Sequence, residues 1–450
     1  MTSTLITCET LVELDSADHI HSPGYLVLEE DRIVELGAGK DLSSTRKFDK
    51  TIDLVNRLVM PGLINAHTHT PMTLFRGHAE GHTLFTLDGW FNTIRVLELD
   101  MDPDMIPPAV AVSCAEMIRT GTTCFADQYF WMDRVYPAVR ASGLRAVLAY
   151  GIVELGEEEA RQREIAAATS FIGELRDDPR LTGWLGPHAF FIDNSEIAMQ
   201  MELSLAEQFQ VGFHTHFGTG YEEDRYCLEK YGLSAIQRLE QMGFLQFPIL
   251  AAHSITLPEA DFPLIAGKPF TVVIAPSSGM RNAAGIAPVV EMRAAGINVA
   301  LGTDNVTNNN SYDMFKEMSL AGKVLALLKR DAAALPTRTI LEMATINGAR
   351  AIGKEKEIGS LEKGKKADLI ALDLNEIGWS PRHGQDVYTA LVYSVTGQHV
   401  TDVMVDGRWL YRENRWLTVD FEQARAGLEQ QHDRLMKKVK IMREHAKDHH

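Results

Sequence analysis

The 450-residue chain carries 61 acidic residues against 44 basic ones, a formal charge of -17. That balance disfavours a surface that tracks phosphates, and with it nucleic acid as a partner. Apolar residues make up 45% and charged residues 23%, the composition of a chain that folds fully, and the length calls for one large domain with a smaller companion.

The opening MTSTLITCETLVELD has no basic region ahead of an apolar core, and no stretch reaches the roughly 18 consecutive apolar residues that a bilayer span requires. Neither export nor membrane insertion is expected. Cys8, Cys114, Cys124 and Cys227 lie far apart with no CxxC pair, which argues against a disulfide framework and for a reduced, cytoplasmic setting.

The first sixty residues alternate short β-type runs with turns, as in GYLVLEEDRIVELGAGK. From Pro61 the texture changes to apolar strands followed by helical stretches: GTTCFAD, MDRVYPAVRASG, LRAVLAYGI. The rhythm continues through LTGWLGPHA, VGFHTHF, PILAAHS, FTVVIAPS and NVALGTD to about residue 350, each strand ending on a polar or charged residue. After the helical TRTILEMATINGARAIG, the segments ADLIALDL and DVMVDGRWLYREN return to short strands able to pair with the first ones. The closing FEQARAGLEQQHDRLMKKVKIMREHA reads as a solvated surface helix; the HAKDHH histidines have the look of added residues and receive no role.

The expected fold is therefore α/β: a (β/α)₈ TIM-type barrel over 61–361, a smaller β-sandwich domain built from both chain ends (1–60 and 362–420), and a C-terminal helix over 421–450.

Chemistry concentrates at the strand ends, where barrel enzymes place it. In LINAHTHT, His67 and His69 are two apart, and a strand puts such residues on one face, so both imidazoles can reach one cation. VGFHTHF offers His214 and His216 in the same arrangement, with alternation putting both on one face. Asp304 leaves the apolar strand NVALGTD, where a carboxylate is costly unless paired, hydrogen-bonded or bound to metal. His253 ends PILAAHS, and a neutral imidazole there can polarise substrate or position water.

MPGLINAHTH, GPHA, FHTHF, LAAHS and ALGTDN, in this order, resemble the amidohydrolase superfamily, in particular its triazine hydrolases, melamine deaminase and S-adenosylhomocysteine/methylthioadenosine deaminases. The likeness covers nearly the whole chain, since IGSLEKGKKADLIALDL and VTDVMVDGRWLYREN match that branch's returning small domain. The resemblance implies that His67, His69, His216 and Asp304 hold one divalent ion, zinc in the first place and iron in the second. It implies too that His253 contacts the attacking water or the substrate, that His188 lines the pocket, that Glu98 contacts substrate, and that the protein is a homo-oligomer. A cation with open positions lowers the pKa of bound water from 15.7 towards about 7, and Asp304 is the group to take up that water's proton.

Two positions depart from the branch. A glutamate usually stands three residues after the strand-five metal histidine and relays a proton to a ring nitrogen; here His216 is followed by Phe217, Gly218 and Thr219, and a threonine hydroxyl has no suitable pKa. Glu222, Glu223 and Asp127 are the candidate replacement acids. In PSSGMRN, Gly279 and Arg281 stand where relatives often carry asparagine and lysine, so the pocket rim has changed.

His78 and His82 in RGHAEGHTLF lack the glutamate of an HExxH motif and read as part of a loop over the pocket. Trp90 offers a stacking surface for a planar ligand, while Asn305, Asn308, Asn309 and Asn310 read as turn residues. The functional expectation is hydrolytic attack on an electrophilic carbon of a small nitrogen heterocycle, with deamination first. A hydrolase that releases sulfide or halide or opens a cyclic amide is the second reading, and a non-catalytic metal-binding scaffold the third.

Overall fold

The computed structural model describes residues 2–39, 42, 46–382 and 384–448, so the last two histidines lie outside the described residues. The chain opens with strands β1 (Ser3–Val12), β2 (Ile20–His21), β3 (Gly24–Glu29), β4 (Arg32–Ala38) and β5 (Lys50–Pro61). The barrel follows as β6 (Leu63–Thr68), β7 (Thr122–Tyr129), β8 (Arg145–Ile152), β9 (Leu181–Pro187), β10 (Phe213–Phe217), β11 (Ile249–His253), β12 (Phe270–Ile274) and β13 (Asn298–Leu301). Strands β14 (Leu369–Asp373), β15 (Val400–Val405), β16 (Arg408–Arg412) and β17 (Arg415–Trp416) end the β-structure.

Strands β6 to β13 lie side by side in sequence order, each parallel to the next. Every residue of β6, β7 and β8 is buried, as parallel strands covered on both faces require. Helices such as Ile106–Arg119, Met132–Ser142 and Glu196–Phe209 make the crossovers. Local chemistry sets their ends: the Ser195 hydroxyl accepts from Ala198 N at 3.3 Å to start one, and Gly143 at φ 82° stops another.

The barrel closes where β13 meets β6. Beyond β13, Asp304 N donates to His67 O at 2.9 Å. Gly302 makes this approach possible, since a Cβ there would sit 2.8 Å from the His67 backbone nitrogen.

Both chain ends build the companion domain, because β14 runs antiparallel to β5 from Leu369↔Pro61 to Asp373↔Arg57. Its nine strands follow the order β17-β16-β15-β14-β5-β1-β3-β4, with β2 beside β1. The sheet curls until the turn at Gly407 meets that at Glu30–Asp31, enclosing a second core that includes Ile6, Leu26, Ile33, Val59, Leu369 and Met404. A buried ion pair joins the two parts: Arg145 of β8 reaches Asp368 at 3.0 Å and Asp406 at 2.6 Å.

The C-terminal helix Phe421–Asp448 is less solvated than its charge suggests. Leu435 and Val439 are buried, and Lys438 Nζ donates to Asp100 O at 2.8 Å, so one face docks on the barrel. Among the described residues no helix is long and apolar enough to cross a membrane.

Candidate metal centre

Four strand ends converge at the barrel mouth. The ligand-type atoms of His67, His69 and Asp304 lie within 4.8 Å of one another, as do those of His67, His216 and His253. His67 Nε2 and His69 Nε2 are 3.6 and 3.5 Å from Asp304 Oδ1.

The imidazole protons decide what this cluster can do. His69 Nδ1 is 2.6 Å from Gln128 O, and His216 Nδ1 is 2.9 Å from His188 O. A carbonyl only accepts, so both rings carry their proton on Nδ1 and a lone pair on Nε2. Those two Nε2 atoms face each other at 3.2 Å, an opposition that a cation between them relieves. His67 Nε2 is buried without a hydrogen-bond partner, and its Nδ1 lies 2.7 Å from His214 Nε2. Burial, then the neighbouring His67, pushes the His69 pKa down to about 3, and burial does the same for His253. The Nε2 lone pairs of His69 and His216, the unpartnered Nε2 of His67 and one carboxylate form the mixed N/O donor set that suits a divalent ion, and they fit one.

Asp304 is buried, which alone would raise its pKa, yet His67, His253 and His69 hold the carboxyl well below its usual range. Its Oδ1 accepts from Asn305 N at 2.6 Å and Asn305 Nδ2 at 2.8 Å, and its Oδ2 from Asn308 Nδ2 at 2.8 Å. The backbone is left-handed at both Asp304 (φ 60°) and His253 (φ 74°), the kind of strain that collects at functional sites.

A cavity of about 140 Å³ opens over this cluster. His69, His216, His253 and Asp304 form its floor, and Trp90, Glu98, His188, Thr219, Glu222 and Glu223 are among its wall residues. Trp90 and His188 stack with centroids 5.0 Å apart, and His188 Nδ1 is 2.5 Å from Asp193 Oδ2. Glu98, its pKa raised by burial, accepts from Tyr129 OH at 2.9 Å. Glu223 is likewise pushed well up by burial and accepts from Gly218 N at 3.0 Å. Thr219 Oγ1 is sheltered and has no hydrogen-bond partner.

Asp127, expected at the pocket, is not among the lining residues. Its carboxylate faces the chain behind His69, accepting from Thr68 Oγ1 (2.8 Å), Thr70 N (2.8 Å) and Thr70 Oγ1 (2.5 Å). Burial raises its pKa to about 6, and its work is to pin the turn that carries His69.

Sequence reasoning missed the asparagines around Asp304, which it took for turn residues. The D-N-x-x-N spacing was the signal: offsets of one and four put two amides on one carboxylate. His214 sits on the same face as His216, as alternation predicts, but one step deeper, against His67. The segment after β6 does lie over the cavity through Leu84, Phe85 and Trp90, while His78 leaves it to meet His432 with Nε2 atoms 3.1 Å apart. Arg281 ties this segment to the Asp304 loop, donating to Glu80 at 2.8 Å and Thr307 O at 3.0 Å.

A parallel barrel with clustered imidazoles and a carboxylate at the carboxyl ends of its strands defines a metal-dependent hydrolase. Residues 58–410 match the model described as the amidohydrolase family, and the chain belongs to that family; it is a hydrolytic enzyme acting on C–N bonds. It is 37% identical over 418 residues to the 5-methylthioadenosine/S-adenosylhomocysteine deaminase of Desulforudis audaxviator, covering 92% of this chain and 96% of that protein. To the 5'-deoxyadenosine deaminase of Methanosarcina acetivorans it is 36% identical over 414 residues, covering 90% and 93%. Its fold is similar to that of a zinc-bound adenosine deaminase from Xanthomonas campestris, with a TM-score of 0.90, 29% identity and coverage of 97% and 99%.

Proposed function

We propose that this chain is a zinc-dependent aminohydrolase of adenine-type nucleosides, with one ion held by His67, His69, His216 and Asp304. The observation that carries the reading is the facing pair of lone-pair-bearing Nε2 atoms on His69 and His216, beside the orphaned Nε2 of His67. The activities named for the relatives supply the substrate class, and the zinc-bound relative favours zinc over iron. Work as a homo-oligomer in the cytoplasm completes the reading; four buried free thiols agree with a reducing compartment.

When bound, the cation supplies Lewis acidity and brings water into reach of deprotonation near neutral pH. Asp304 accepts the water's proton and returns it to the departing amine, its orientation fixed by Asn305 and Asn308. His253 positions the attacking water against the ring carbon that bears the amino group. The Trp90–His188 stack and Glu98 hold the heterocycle, and the apolar wall around them keeps bulk water out. Because Thr219 stands where the relay glutamate is usual, the ring nitrogen takes its proton from a carboxyl on the same wall, Glu222 or Glu223.

The test is ammonia release from a panel of adenine-type nucleosides by metal-analysed enzyme, wild type against Asp304→Asn. Wild type should turn over with about one zinc per chain, and Asp304→Asn should lose roughly 10²–10⁴-fold in kcat. Full turnover by Asp304→Asn, or no ammonia from any nucleoside, would sink the proposal. Thr219 favours a second reading, a leaving group that needs less protonation, and sulfide or halide release from matched heterocycles tests it.

A further inference from the structure

We infer that the first hairpin of the small domain is a second metal site, in which Glu13, Asp15 and His19 hold a divalent transition ion away from the barrel mouth. The inference stands apart from the proposed reaction, since none of these residues lines the cavity.

The segment ELDSADHIH folds a pair of carboxylates, two residues apart, against a pair of imidazoles with the same spacing. Strands β1 and β2 run antiparallel with Leu11↔His21 and Val12↔Ile20, and Glu13 N donates to His19 O at 3.1 Å, so Glu13 lies opposite His19. Each carboxylate has one oxygen tied up: Glu13 Oε1 is 2.8 Å from His21 Nε2, and Asp15 Oδ1 accepts from His19 N at 2.9 Å. The other two oxygens turn to a single nitrogen. His19 Nδ1 is 2.8 Å from Asp15 Oδ2 and 3.7 Å from Glu13 Oε2, and ligand atoms of the three residues lie within 4.8 Å of one another. The longer distance exceeds a hydrogen bond, so hydrogen bonding does not account for where Glu13 Oε2 stands. Ligand atoms bound at about 2.1 Å to a tetrahedral zinc ion are about 3.4 Å apart, so small side-chain movements bring these three around an ion.

Charge and exposure point the same way. Among the described residues the Glu13 and Asp15 carboxylates form ion pairs with histidines alone, while the nearby Arg338 donates to the Asp15 carbonyl at 2.8 Å and faces Asp18 at 3.2 Å. Two carboxylates without a fixed cation match one divalent ion, and the imidazole favours a transition metal over calcium or magnesium. Glu13 is buried but the His19 side chain is 54% exposed, which leaves an open side for water ligands. His21 orients Glu13 from behind. Leu361 N donates to Glu13 O at 2.8 Å, so an ion here braces the hairpin against the segment that leaves the barrel.

The experiment takes the full chain, loaded with zinc and dialysed, and adds zinc chloride or calcium chloride under calorimetry. Wild type should take up one further zinc per chain and gain a few degrees in Tm at saturation. His19→Gln and Asp15→Asn should each weaken that uptake at least ~100-fold, and His21→Gln ~10-fold. The histidines of the closing HAKDHH and the His78 and His432 pair are present in every variant, so their uptake cancels. The readout is the difference between wild type and variant, and it does not depend on whether the barrel holds zinc. Uptake that is the same in wild type and His19→Gln overturns the inference, as does calcium binding as tightly as zinc.

Discussion

Asn308 donates to Asp304 Oδ2 at 2.8 Å while its own carbonyl oxygen accepts from Asn282 Nδ2 at 3.0 Å. Asn282 in turn accepts from Leu84 N at 2.7 Å through its Oδ1. The proposed metal carboxylate is thus linked, through two amides, to the backbone of the segment that covers the cavity.

Asn308→Ala cuts this link at its first step. Zinc affinity should fall ~10–100-fold, the usual cost of losing a group that orients a ligand, and KM should rise because Leu84 loses its anchor. Zinc titration with a fluorescent chelator and steady-state kinetics read the two effects; unchanged values for both would show that the link carries nothing.

His214→Phe tests the support behind His67. The ring volume is kept, but His67 Nδ1 loses its 2.7 Å partner, so its tautomer is no longer held. Zinc affinity should drop ~10–100-fold while the fold survives, measured as metal content after dialysis alongside far-UV circular dichroism. Retention of one zinc per chain at wild-type affinity would count against the assignment.

Glu202 is buried with neither carboxylate oxygen hydrogen-bonded, and burial, with Asp193 and Glu154 nearby, pushes its pKa up to about 8 from 4.5. Between those values the folded chain keeps a proton that the unfolded chain has released, so stability falls as pH rises from about 4.5 to about 8 and then levels. Across that window the loss is on the order of 5 kcal/mol. Glu202→Leu should therefore raise Tm far more at pH 9 than at pH 5; a gain independent of pH would show that Glu202 titrates normally.

Thr219→Val removes a sheltered hydroxyl that has no partner in the protein. Stability should be unchanged or rise by up to about 1 kcal/mol, since an unpaired buried polar atom is a cost. If the hydroxyl serves the substrate, kcat/KM falls ~10-fold at the same time; a lower Tm with normal kinetics would reverse both expectations.

Much of the barrel could be read from the chain because each strand combines an apolar run with a polar end, a pattern that burial on both faces and chemistry at one end enforce together. The return of the last strands to the first was legible for a related reason, since ADLIALDL and VMVDGRWLY need partners that the barrel does not supply. The period of two placed His67 with His69, and His214 with His216. Depth along the axis was not legible: which histidine of β10 reaches His67 Nδ1 at 2.7 Å and which faces His69 at 3.2 Å depends on how β10 is staggered against its neighbours, as in the register Phe213↔Ile249 with β11, a relation between strands. Asp127 went to the wrong side of its strand end because Thr68 and Thr70, short hydroxyl residues with many possible uses, capture it. The asparagine clamp on Asp304 was hidden because it needs the left-handed turn at φ 60°, which no side-chain pattern announces. Trp90, Glu98 and His188 come from separate segments, so only folding brings them to one wall.

At the seam, the amide of Asp304 reaches the carbonyl of His67, with Gly302 leaving room for the contact. Any side chain at position 302 would therefore press on His67 and displace Asp304 with it, so the shape of the cavity floor and the join between the barrel's two ends stand or fall together.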